Sequence, residues 1–254
     1  MKYSVNLYLL ALVTFVFNMS YLAAANAATP IPAPPQVAAK NYILVDFNSG
    51  HLLAEKDADA QVEPASITKL MTAYVIYREM DSGRMSLDDM VTISEKAWRM
   101  GGSRMYVEVG KQVSVRELMK GLVIQSGNDA TVALAEHIAG TEDAFVHLMN
   151  EYAAQLGMTN TMFVNSTGWP AEGHLTTARE SAKLAVAVID EFPEYYSLYK
   201  EKVYTYNNIK QYNRNKLLWR DNSVDGMKTG HTESAGYCLV SSAIRSDMRL
   251  VAVV

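Results

Sequence analysis

The chain has little that would brace a fold covalently or through a metal. Its 254 residues include one cysteine, Cys238. No disulfide can form within the chain, and a thiol set in the apolar run 237–244 is expected to be buried. His51, His137, His147 and His174 show no ligand spacing such as H-E-x-x-H, which disfavours a zinc-dependent peptidase, and no metal or cofactor is expected. Basic excess is also missing. Lys and Arg number 23 against 27 Asp and Glu, a net charge of −4, and no basic patch stands out, so nucleic acid is not an expected partner. The chain carries no internal repeat or low-complexity segment. Its N-terminal apolar stretch, Leu7 to Phe17, is interrupted by Asn18 and Ser20 and is short for a membrane span.

That stretch follows Lys2 and precedes Ala25-Asn-Ala27, a small-x-small cleavage pattern. Residues 1–27 are therefore expected to be a signal peptide, and 28–40, with Pro30 to Pro35, a flexible leader. Export is compatible with a single unpaired cysteine. The remainder, 41–254, is long enough for one domain with a sizeable core, in a chain that is 49% hydrophobic.

Three short motifs then appear in order: Ser66-Ile-Thr-Lys69, Ser126-Gly-Asn128 and Lys228-Thr-Gly230. Taken singly, each reads as a helix cap, a turn or a sheet-edge turn. The ordered set S-x-x-K, S-x-N, K-T-G marks enzymes that acylate a serine. A serine hydroxyl is a weak nucleophile and needs a base within reach. Positions i and i+3 share a helix face, so Lys69 is placed beside the Ser66 hydroxyl. The apolar positions Ile67, Leu70, Met71, Tyr74 and Val75 have helical spacing, and Pro64 suits a helix entry. Ser66 is thus expected to open a buried helix, with Oγ at the positive end of its dipole. Burial and nearby cations would keep Lys69 neutral enough to accept the serine proton. Ser126 and Asn128 fall in a turn between the apolar stretch 118–124 and a helix 129–139. There Ser126 is a candidate proton relay, and Asn128 a donor and acceptor for a substrate amide. Lys228 offers a cation to a substrate carboxylate, and Gly230 lets a peptide approach the strand backbone.

These motifs resemble those of the serine D-alanyl-D-alanine carboxypeptidases, the low-molecular-mass penicillin-binding proteins (peptidase S11-like), from about Asn41 to Val254. His231 after Lys-Thr-Gly, Gly in the middle of Ser-Gly-Asn, the segment 168–179 and Tyr212-Asn-Arg-Asn215 sharpen the likeness. Glu172-Gly-His-Leu175 echoes the deacylation element of β-lactamases, but Thr176 stands where Asn is expected, and we read it as coincidence. The resemblance implies hydrolysis of the terminal D-alanyl-D-alanine bond of peptidoglycan stem pentapeptides through an acyl-enzyme on Ser66. It further implies β-lactams as covalent inhibitors, and an enzyme that is exported to the periplasm or the outer face of the cytoplasmic membrane. The catalytic set is Ser66, Lys69, Ser126 and Asn128. The substrate-binding set is Lys228, Thr229, Gly230, His231 and Arg214, with backbone N–H groups of Ser66 and around His231 as an oxyanion hole. Alternatives within the fold are a D,D-endopeptidase and a β-lactamase; outside it, a catalytically idle wall-binding protein. The run ending at Val254 suggests a truncated member, with membrane attachment possible only through a C-terminal tail absent here.

The coarse pattern gives the fold class. A hairpin is expected around Asn48-Ser-Gly50, joining 41–47 to 51–55. A mostly helical middle runs from Ser66 to Phe192. It includes 141–156 and a helix opened by the capping box Thr177-Ala-Arg-Glu180. Residues 204–219 form short strands or a loop, and strands follow at 237–244 and 248–254. Strands at both ends must pair, giving an α+β fold: an antiparallel sheet packed with helices, plus a helical lobe. The resemblance names this the serine β-lactamase/transpeptidase-like fold.

Overall fold

Asp46 closes the first turn: its carboxylate accepts from the N–H of Asn48 and of Ser49 at 2.8 and 2.9 Å, and Gly50 takes φ +68°. Strand β1 (Tyr42–Asp46) therefore folds back antiparallel onto β2 (Leu52–Lys56), as its sequence predicts. The structure, a computed structural model, describes residues 36–254. The expected signal peptide lies outside the described residues. Every described element belongs to the unit Ala38–Val254.

Helix α1 (Lys69–Asp81) is buried on every side over residues 69–77. Leu70, Met71, Ala73, Val75 and Ile76 are 0% exposed, as befits a central helix rather than a surface one. The middle is less uniformly helical than expected. Strands β3 (Met90–Thr92) and β4 (Gln112–Ser114) pair as a ribbon, flanking α2 (Glu95–Trp98). Three-residue strands are too short for alternation to register, which is why the sequence conceals them. Helix α3 (Val115–Lys120) is capped by Ser114 and continues as a π turn, Gly121–Gln125. A Cβ on Gly121 would stand 2.3 Å from Met105 Sδ, so glycine is what lets the 103–107 loop lie against this turn.

Helices α4 (Asn128–Ala139), α5 (Glu142–Gln155) and α6 (Ala178–Glu191) follow. Thr141 caps α5 through the Ala144 N–H. Only half of the expected capping box forms at α6. Thr177 Oγ1 accepts from the Glu180 N–H at 3.1 Å, but the Glu180 carboxylate turns away to the Asn160 N–H, 2.9 Å, and Thr161 Oγ1, 2.6 Å. Short α7 (Pro193–Tyr196) leads to a second ribbon, β5 (Val203–Tyr206) with β6 (Ile209–Tyr212), and then α8 (Leu217–Arg220).

The chain closes with β7 (Val224–Thr232), β8 (Gly236–Arg245) and β9 (Met248–Val253). The result is a five-stranded antiparallel sheet of order β2-β1-β9-β8-β7. This is the expected α+β architecture. Helix α6 packs on β1, β9 and β8, while α1 contacts α4, α5 and α6 and joins the sheet to the helical lobe. Strand β7, at the sheet edge, abuts the turn leading into α1. Cys238 is half-buried rather than buried, because it lies near the start of β8, at the end of the sheet.

Glu180, 3% exposed, ties the 160–161 turn to α6. Replacing it by Ala leaves three part-buried donors at 160–161 without their acceptor, at a cost of about 2 kcal/mol. The melting temperature of Glu180→Ala should fall by roughly 4–8 °C. A calorimetric shift near zero would contradict this account of the turn.

Candidate active site

Ser66 does not open α1. It lies in a 3-10 turn, Ala65–Thr68, that precedes the helix, with Pro64 at its start. The cause lies in its neighbours. Ala65 takes φ +46°, a left-handed conformation uncommon for a residue with a Cβ. Two glycines press on that turn. A Cβ on Gly168, itself at φ +83°, would fall 1.7 Å from the Ala65 carbonyl oxygen. A Cβ on Gly230 would fall 3.1 Å from Ala65 Cβ and 3.2 Å from the Ser66 nitrogen. Gly230 thus makes room for the Ser66 turn. Ala65 and Ile67 are buried, while Ser66 keeps partial exposure.

One helical step on, Lys69 is 0% exposed. Its Nζ lies 2.7 Å from Asn128 Oδ1, 2.6 Å from the Thr167 carbonyl oxygen and 3.2 Å from Ser66 Oγ. The two shorter partners are acceptors only and must receive hydrogens; the serine hydroxyl alone can donate. A neutral amine satisfies all three at once, with two N–H bonds and its lone pair toward Oγ. Burial pushes the Lys69 pKa well below the ordinary lysine value. The Lys228 charge adds to this, and Asp129 opposes it.

Ser126 sits where the π turn ends, at φ +64°, and is buried. Asn128 begins α4. Its Nδ2 donates to the Gly101 carbonyl at 2.8 Å, which fixes Oδ1 toward Lys69. One amide hydrogen and one lone pair of Asn128 remain for a ligand. On the sheet side, Lys228 is 2% exposed and donates to Ser126 Oγ and to the Thr229 carbonyl, both at 2.8 Å. Burial, with the charge of Arg214 nearby, pulls its pKa down to about 7. Arg214 is exposed and donates to Ser103 Oγ at 3.1 Å. His231 is exposed at the end of β7, with its ring centroid 4.2 Å from that of Tyr237. The structure thus brings Ser66, Lys69 and Asn128 into one hydrogen-bonded group and Ser126 and Lys228 into a second, with the Lys228 charge felt at Lys69. Thr229, Gly230 and His231 follow along the strand, and Arg214 stands at the rim.

Comparison with known proteins agrees with this geometry. The peptidase S11 family, described as D-alanyl-D-alanine carboxypeptidase, matches residues 27–254. The chain belongs to the D-alanyl-D-alanine carboxypeptidase family. It is 48% identical over 252 residues to the D-alanyl-D-alanine carboxypeptidase DacA of Escherichia coli, covering 96% of this chain and 62% of that protein. With DacC of the same organism it shares 47% identity over 245 residues, 94% of this chain and 61% of that one. The crystal structure of penicillin binding protein 5 from Haemophilus influenzae superposes with a TM-score of 0.86 at 46% identity, over 88% of this chain and 66% of that one. The chain thus spans about 62% of the length of the DacA relative.

Several residues that hold the site of this family member escaped the motifs. The carboxylate of Asp129, 1% exposed, accepts from the N–H groups of Met105, Tyr106 and Val107 and of Ala130. It fixes the loop that carries Gly101 and Ser103. The only sequence signal was its position directly after Asn128. Glu142 accepts from the Ser166 N–H at 3.0 Å and Oγ at 2.7 Å, and pairs with Lys96 at 2.8 Å. Burial raises the Glu142 pKa, but Lys96 and Ser166 outweigh it and hold the carboxyl below its ordinary value. Thr72 Oγ1 donates to the Ser166 carbonyl at 2.6 Å. Together these set the Thr167 carbonyl that receives Lys69, and nothing in the sequence announced them. His174 is structural: its ring accepts from the Val164 N–H and meets Thr68 Oγ1 at 2.8 Å. Burial pulls its pKa down to about 4. Among the described residues no cluster of His, Cys, Asp and Glu could hold a metal.

The Lys228 pKa has a consequence for stability. The folded value, about 7, lies below the ordinary 10.5. Between these pH values the unfolded chain binds the extra proton, so folding stability rises with pH through that window and the gain is lost as pH falls through 7. Lys228→Met should flatten this rise in denaturant titrations at pH 7 and pH 10. An unchanged slope would contradict the burial account.

Proposed function

We propose that the protein removes the terminal D-alanine from peptidoglycan stem pentapeptides through an acyl-enzyme on Ser66. The observation that carries this reading is the Lys69 amine, buried beside Ser66 Oγ and held there by Asn128 Oδ1 and the Thr167 carbonyl.

The steps follow from the geometry. Lys69 takes the hydroxyl proton as Oγ attacks the carbonyl carbon of the penultimate D-alanine. The oxyanion is met by the backbone N–H groups of Ser66 and His231; support for this comes from Gly230, before His231, lying against the Ser66 nitrogen. Such donors are each worth on the order of 10²–10³ in rate. Ser126, held by Lys228, relays the proton taken up by Lys69 to the leaving amine; the C–N bond breaks and D-alanine departs. Water then attacks the ester, releasing the shortened peptide and restoring Ser66 Oγ–H. Lys228 and Arg214 hold the terminal carboxylate of the substrate, Arg214 with a planar fork suited to it. Asn128 offers its remaining amide hydrogen to the peptide.

β-Lactams present the same acyl group and carboxylate, so they acylate Ser66. Glu172 is exposed, and no Glu-x-x-Leu-Asn element is available to activate water on that adduct. Its loss is therefore slow. The substrate places the enzyme on the outer face of the cytoplasmic membrane or in the periplasm, in keeping with the N-terminal export pattern. Among the described residues no helix is long and apolar enough to cross a membrane.

Incubation with fluorescent penicillin, with mass spectrometry of the labelled peptide, tests this reading alongside D-alanine release from pentapeptide. The expected result is a stable label on Ser66, abolished by Ser66→Ala, and free D-alanine from the peptide. A label on Ser126 would overturn the roles. Rapid multiple turnover of penicillin with no D-alanine released would indicate a β-lactamase. Cleavage of cross-linked dimers alone would indicate an endopeptidase.

A further inference from the structure

The loop 165–170 that receives Lys69 also carries an indole, Trp169, against Gly101 and Gly102. Trp169 is large and apolar, yet 49% exposed. Its backbone is fixed from several sides. The Trp169 N–H donates to Asn165 Oδ1 at 3.1 Å and to Thr167 Oγ1 at 3.2 Å, and its carbonyl accepts from Asn165 Nδ2 at 2.8 Å. Gly168 before it is pinned against the Ala65 carbonyl, and Pro170 follows with its φ locked.

The ring itself rests on two glycines. A Cβ on Gly101 would stand 3.3 Å from Trp169 Cη2. A Cβ on Gly102 would stand 3.0 Å from Cζ3 and, equally, 3.0 Å from Asn128 Nδ2. A side chain at either glycine would crowd the indole. The ring therefore bridges the loop holding Lys69 and the 101–102 loop, with Gly102 lying against both its edge and the Asn128 amide. A rigidly seated aromatic with half its surface open presents ready contact area at small entropic cost.

We propose that Trp169 is a specificity-determining residue for the acyl donor, its open indole surface receiving an apolar or planar group carried on the acyl side of the scissile bond, next to the amide that Asn128 engages. This rests on the reading of Ser66 as the nucleophile.

The test compares two β-lactams with one nucleus. Benzylpenicillin carries an aromatic acyl side chain; 6-aminopenicillanic acid carries none. In Trp169→Ala the second-order acylation rate should fall about ten-fold for benzylpenicillin, the loss of one good aromatic contact. For 6-aminopenicillanic acid it should change by less than about two-fold, within the scatter of surface substitutions. Trp169→Phe should recover most of the difference. Equal losses with both compounds would make Trp169 a brace between loops and overturn the proposal, as would no loss with either. A second arm does not depend on acylation: calorimetric binding of benzylpenicillin to Ser66→Ala, with and without Trp169→Ala. About ten-fold weaker binding in the double variant is expected. Unchanged affinity would overturn the proposal even if another residue proved to be the nucleophile.

Discussion

The amine of Lys69 is removed from water and given no carboxylate to pair with. Its partners are a hydroxyl, an amide oxygen and a peptide carbonyl, and burying a charge among neutral groups is expensive. The rest of the site follows from that constraint. Three segments distant in sequence must converge on one nitrogen: the 65–68 turn, Asn128 and the carbonyl of Thr167. Each is held by something behind it. Gly168 and Gly230 allow close approach to the turn, Asp129 fixes the loop that orients Asn128, and Glu142 with Thr72 fixes Ser166 beside Thr167.

Lys228 repeats the arrangement on the sheet side, bound to Ser126 Oγ and a carbonyl. The charge of Lys228 disfavours that of Lys69, and each amine is held by neutral hydroxyl, amide or carbonyl groups rather than by a carboxylate. Ala65, Ser126 and Tyr106 all sit at positive φ, and such residues cost of order 1–3 kcal/mol each. Ala65 adjoins Ser66, Ser126 bonds Lys228, and Tyr106 lies on the loop that Asp129 holds. The surrounding packing offsets this strain, notably the nearly dry helix α1 and the grip of Asp129 on the Tyr106 N–H.

The sequence disclosed the chemistry more fully than the scaffold. Ser66, Lys69, Ser126, Asn128 and Lys228 were readable because three motifs each demand a residue type at a fixed spacing, and all five converge. The first hairpin, helix α5 and the start of α6 were readable from turn and cap residues. Other features depend on contacts across the chain, which local pattern does not carry. The 3-10 turn at Ser66 arises from Gly168 and Gly230, a hundred residues or more downstream. Glu142 meets Ser166 only after α5 has packed. Glu180 looked like half of a local capping box, and its carboxylate instead serves the 160–161 turn. The β3–β4 ribbon was too short to announce itself, and the half-exposure of Cys238 reflects where β8 ends rather than the apolar run around it.

The protonation state of Lys69 is the point on which the account turns, and it is directly observable. Protein labelled with ¹³C at lysine Cε, titrated by NMR, gives one curve per lysine; the Lys69 signal is assigned by its disappearance in Lys69→Arg. The account predicts a midpoint well below the ordinary lysine value of 10.5. A Lys69 signal that titrates with the exposed lysines would contradict it.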